Sequence, residues 1–120
     1  MPILKIFTNV SKSQISGDFM KKIIPVLVDG VKKDADKFTC MVQTDCLVTI
    51  DGDSSLPAAT ASLESIGHLG PDQNIRIAEL LSAVIHNELG VTPGRFVLTF
   101  YDLSPHNIAK KGTTVAVLER

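Results

Sequence analysis

Pro2 directly follows the initiator methionine, which is expected to be trimmed before so small a residue. Trimming leaves a secondary amine as the first group of the chain. An α-amino group has a reference pKa of roughly 7.7–8.0, so only about a tenth of it is neutral at pH 7. A general base works best with a pKa near the operating pH, and two effects move an amine that way: burial against apolar neighbours and nearby positive charge. Ile3 and Ile66 are apolar candidates for the first effect; Lys33, Lys110 and Lys111 are cationic candidates for the second. The same lysines suit an anionic substrate, as point charges aimed at a carboxylate. Lysines after a helix and in a C-terminal loop are, however, ordinarily solvated.

Other routes to chemistry are poorly represented. Asp51-x-Asp53-x-Ser55 begins like a calcium loop but has Leu56 where glycine is needed and Ser62 where a bidentate glutamate is needed, so it is a turn. Residues 67–70, Gly-His-Leu-Gly, fit a KH-type loop only weakly. His68, His86 and His106 are scattered, and His86 belongs to a polar helix face. Neither a Cys-x-x-Cys pair nor a nucleophile elbow occurs, and no cofactor is expected.

Composition sets the frame for the amine. The 120 residues make one domain, 1–120, and 44% hydrophobic with 21% charged residues is a globular balance. A formal net charge of −1 argues against a nucleic-acid partner. No run is long and apolar enough for a membrane span or a secretory signal. Cys40 and Cys46 are expected as reduced thiols. Cytoplasmic synthesis follows, with any secretion taking a route that lacks a signal peptide.

Periodicity places the elements. Residues 3–7 read as a strand. Ser16 is the expected N-cap of a helix whose buried face is Phe19, Met20, Ile23, Ile24, Leu27 and Val31, interrupted and kinked at Pro25. Strands are expected over 38–44 and, briefly, 47–50; 51–57 is a turn, and 58–66 alternates as a strand. After a loop over 67–74, Ile77, Leu80, Leu81, Val84, Ile85 and Leu89 give a second amphipathic helix, ended by Gly90 and Pro93. Strands over 95–101 and 113–118 complete the chain. The order is two copies of one β-α-β unit: an α+β, ferredoxin-like fold with a four-stranded sheet and both helices on one face, in the split β-α-β arrangement. Cys40, Val42, Leu63 and Val97 are expected on the uncovered face, which oligomerisation would cover.

Against this reading, several short stretches are similar to one known family. Pro2 with its strand and Thr8-Asn9, the run Ser62-Leu-Glu-Ser-Ile-Gly67, Asn74-Ile-Arg76 and Tyr101-Asp102-Leu103 fall in register with the macrophage migration inhibitory factor family of the tautomerase superfamily. The likeness runs nearly end to end, with a small insertion near 51–57 and a slightly longer tail. It implies a homotrimer, keto–enol tautomerisation of arylpyruvates or dopachrome derivatives, and Pro2 as catalytic base. Lys33 would hold the substrate carboxylate, although Asp34 follows it where the family usually has proline. The backbone N–H of Ile66 would hold developing charge, with Ser65 beside it. Family members also act as signalling ligands, which makes a cell-surface receptor a second kind of partner.

Departures narrow what the pocket would take. The resemblance places Val97 and Thr99 where the inhibitory factor itself has a tyrosine and an asparagine from the neighbouring subunit, and Lys110 where it has a tryptophan. Residues 107–113 look more like the sister D-dopachrome tautomerase branch. Ala58 and Ala61 stand at its thiol positions, so no redox activity is expected. A small keto acid, aromatic or otherwise carboxylate-bearing, is the implied substrate.

Overall fold

The computed structural model describes all residues, 1–120. β1 (Ile3–Thr8), β2 (Thr39–Gln43), β3 (Ala59–Ser65) and β4 (Phe96–Asp102) form one sheet, with α1 (Phe19–Val31) and α2 (Pro71–Leu89) packed together on a single face of it. A small hairpin, β5 (Ala109–Lys110) and β6 (Thr113–Thr114), leads into the short helix α3 (Val115–Leu118).

The strand order is β2-β1-β3-β4, with β1 parallel to β2, antiparallel to β3, and β3 parallel to β4. The two β-α-β units are therefore joined through their first strands. No strand of one unit lies between those of the other, which corrects the expected split arrangement. β1 holds the centre, bonded on both sides.

Register decides which side chains meet the helices. Leu4 pairs with Cys40 and with Leu63, and Ile6 with Val42 and Ala61. All of these share the helix-covered face with Ile23 and Leu27 of α1 and Ile77, Leu81 and Ile85 of α2. Cys40, Val42 and Leu63 thus lie on the covered face, contrary to expectation, and Val97 alone of that group is on the open one. Alternation shows which residues of one strand share a face; the pairing between strands shows which face is covered. The open face carries Phe7, Met41, Val97 and Tyr101, all exposed.

Local differences have local causes. α1 runs unbroken through Pro25, which is exposed; the buried row Phe19, Ile23, Leu27 and Val31 holds the helix across the missing hydrogen bond. Asp18, rather than Ser16, is the N-cap, with the Ser16 hydroxyl turned onto the Asp18 carboxylate. α2 begins at Pro71, inside the expected loop, because proline suits the first helical position and Asp72 the first turn. The expected strand at 47–50 reduces to one bridge, Ile50 to Asp53, and Leu47 stands fully exposed. The last strand stops at Thr114, whose Oγ1 accepts the Val117 N–H and starts α3.

Gly30 lets α1 approach α2: a Cβ there would come within 3.3 Å of the Ile77 side chain. Both cysteines are free, and burial pushes the Cys40 thiol up to about 11. Two outcomes are expected. Leu63→Ala, at a fully buried position, should lower unfolding stability by about 2–5 kcal/mol in chemical denaturation. Mass-resolved alkylation of the native protein near pH 8 should label Cys46 well before Cys40.

Candidate active site

The start of the chain is held by the centre of the sheet. Pro2 is fully buried, and its carbonyl accepts the Thr39 N–H at 3.0 Å, extending the β1–β2 ladder by one step. Its missing N–H costs nothing here, because the ring nitrogen lies outside the ladder. The β1–β3 register pairs Ile3 with Glu64, so the next step brings Pro2 opposite Ser65.

Met1 projects beyond this point into a cleft of about 460 Å³. One wall is the C-terminal end of α1 and the turn after it, with Lys32, Lys33 and Lys37. The other is the β5–β6 hairpin and α3, with Lys110, Lys111, Val115 and Leu118. His68 lies between them, its Nδ1 2.8 Å from the Val31 carbonyl. A carbonyl can only accept, so in this contact Nδ1 carries the proton and donates it to Val31.

Electrostatics act on the amine as its surroundings require. The Met1 α-amino group is held below its ordinary value, first by partial burial and next by the Lys33 ammonium, with Glu119 opposing. Lys33, Lys37, Lys110 and Lys111 make no salt bridge, whereas Lys32 pairs with Asp29, which Arg76 also binds.

Of the residues expected at the site, Lys33 and Lys110 line this cleft with the chain terminus. Ser65 ends β3 opposite Pro2, and Ile66 follows it. The Ser65 hydroxyl is already used, donating to the Gly67 carbonyl at 2.8 Å, and its own carbonyl accepts the Leu103 N–H at 2.8 Å. The Ile66 N–H makes no hydrogen bond within the chain. Val97 and Thr99 do not join the group: they sit on the open face in the middle of β4, opposite Thr60 and Ser62. Only a second copy of the chain could bring such residues to the cleft.

Sequence reasoning missed three residues. Lys37 reaches the cleft through the turn after α1. His68, which spacing offers only as a scattered histidine and as part of a weak KH-type loop, has positive φ and a helix-terminal partner, neither visible in spacing. Asp102 accepts the Gly67 N–H at 2.9 Å through Oδ1, which locks the loop beyond Ile66. Asp102→Ala should cost about 1 kcal/mol of stability and speed amide exchange at residues 67–69, measured by denaturation and hydrogen exchange.

Comparison with known proteins agrees with this architecture. A family model described as macrophage migration inhibitory factor matches residues 1–116. The macrophage migration inhibitory factor of Rattus norvegicus is 31% identical over 116 residues, covering 97% of this chain and all of the relative; that of Meriones unguiculatus is 32% identical over the same length. Among solved structures, the inhibitory factor of Trichinella spiralis superposes with a TM-score of 0.88 at 24% identity, over 93% of this chain and 98% of that one. The Toxoplasma gondii inhibitory factor gives 0.83 at 26%, with the same coverage.

Proposed function

The chain belongs to the macrophage migration inhibitory factor family, and on that footing we propose that it is a cofactor-free keto–enol tautomerase whose base is the Pro2 amine. The observation that carries this reading is the placement of Pro2. It is buried, fixed by the central strand, and opens through Met1 into a cleft with Lys33 on its wall. Loss of Met1 does two things at once: it frees the secondary amine and removes a side chain from the cleft.

In the proposed reaction the neutral Pro2 nitrogen takes the proton α to a substrate carbonyl. The electron pair moves onto the carbonyl oxygen, and the proton is returned to that oxygen or to another carbon. Lys33 pairs with the substrate carboxylate, and the unpartnered Ile66 N–H donates to the developing oxyanion. Lys110 faces Lys33 from the hairpin side.

Val97 and Thr99 enter the site from a neighbouring subunit of a homotrimer, the assembly that would also cover Phe7, Met41 and Tyr101 on the open face. Synthesis in the cytoplasm, with any export independent of a signal peptide, belongs to the same proposal.

Intact-mass measurement should show Met1 absent. Pro2→Gly keeps an α-amine but loses the ring that fixes it, and should then lower kcat/KM for phenylpyruvate enolisation by about 10²-fold, the cost of misplacing a reacting group by about 1 Å. Unchanged activity in that variant would remove the basis of the reading. A retained Met1 would do the same and move the weight to a signalling ligand acting through a receptor.

A further inference from the structure

Around the cleft, positions that the fold requires to take positive φ are occupied by lysines, which do not favour it. Five non-glycine residues have positive φ: Lys32, Asp45, Asp51, His68 and Lys111. Aspartate tolerates this region, and both aspartates lie elsewhere. The remaining three, Lys32, His68 and Lys111, all line the one cleft. Lys32 occupies the left-handed position ending α1, where glycine or asparagine is usual.

Lys111 and Gly112 form the two-residue turn between β5 and β6, with φ of 59° and 81°. Positive φ at both central residues is the type I′ pattern, in which the first position favours asparagine, aspartate or glycine. A lysine there is held at a conformational cost and carries its charge to the cleft rim.

The charges stand on two sides. Lys33 and Lys37 face the cleft from the α1 side, and Lys110 and Lys111 from the hairpin side. Asp34, Asp36 and Glu119 also line it, yet none lies within salt-bridge distance of a lysine. No phenylalanine, tyrosine or tryptophan of the chain lines the cleft, whose one flat ring is His68. A monoanionic arylpyruvate would satisfy one wall and leave the lysines of the other unpaired. A ligand anionic at both ends would satisfy both.

We propose that the preferred substrate class is a 2-keto acid bearing a second carboxylate, held between the α1 lysines and the hairpin lysines. This rests on the tautomerase reading and narrows it. Enolisation of such a compound breaks the C3–H bond, passes that proton to the Pro2 nitrogen and then to the C2 oxygen, and needs no oxidant or reductant. The second carboxylate sits on C3 and is paired by Lys110 and Lys111.

The test uses the full trimmed chain with oxaloacetate and phenylpyruvate as substrates, and with succinate and phenylacetate as unreactive ligands in thermal-shift titrations. Oxaloacetate should exceed phenylpyruvate in kcat/KM by about tenfold at low salt, and the ratio should shrink toward 1 M salt, where the Debye length is about 3 Å. Lys111→Asn suits the turn better, so it should keep or raise the melting temperature. It should nevertheless cut oxaloacetate kcat/KM roughly fivefold, as for one partly exposed charge contact, and leave phenylpyruvate within about twofold. Lys111→Arg should restore the preference. Equal losses on both substrates, or a phenylpyruvate preference in the native chain, would overturn the proposal. Succinate binding more tightly than phenylacetate, and weakened by Lys111→Asn, supports the dianion site even if neither substrate turns over. That last result would sink the tautomerase reading instead.

Discussion

The structure turns on the position of β1. It is the central strand, bonded to β2 on one side and β3 on the other, and it begins at the third residue. The chain terminus is therefore clamped in the middle of one sheet end. A terminal residue would ordinarily fray. Here Pro2 is buried, its carbonyl is bonded to Thr39, and its ring has one soft dihedral fewer than any other residue. An amine mounted in this way loses little entropy when it meets a substrate. Everything else at that end is arranged around it: the α1 terminus with Lys33, the end of β3 with Ile66, and the hairpin with Lys110.

The two ends of β3 are secured differently, and the difference suits their roles. Near its start, the Arg95 guanidinium donates to the carbonyls of Ile50, Asp53, Leu56 and Pro57, gathering the 50–57 turn onto β4. Near its end, Ser65 and Asp102 hold Gly67 while the Ile66 N–H is left without a partner. An unpaired donor is costly unless water or a ligand meets it. The positive-φ lysines add to that cost on the same side of the molecule. Stability has been given up at the cleft and kept in the core beneath it.

Much of the fold was legible in the residues. The 3.6-residue spacing of Phe19, Ile23, Leu27 and Val31, and of Ile77, Leu81, Ile85 and Leu89, is the buried face observed in both helices. Alternation in residues 59–65 matches the burial pattern of β3. Facing was not legible, since Cys40 and Leu63 take their side from pairing with Leu4 across strands. Nor was the fate of 47–50, a run with strand-like residues but no partner strand in the chain. At the site, Pro2 was legible from its position, and Lys33 and Lys110 from charge. Lys37 and His68 were not, because their approach depends on turn geometry, and Val97 and Thr99 carry no local signal for the cleft.

Pro2 must be a tuned base for the cleft to work as proposed, and titration of its amine tests this most directly. Nitrogen chemical shifts of the trimmed, Pro2-labelled protein, followed against pH, give that pKa without reference to any substrate. Burial and the Lys33 ammonium lower the Met1 amine, so the Pro2 amine that trimming exposes beside them should also titrate below the usual α-amino range of roughly 7.7–8.0, and Lys33→Ala should raise it. A value within or above that range, indifferent to Lys33, would make Pro2 an ordinary chain end and contradict the account.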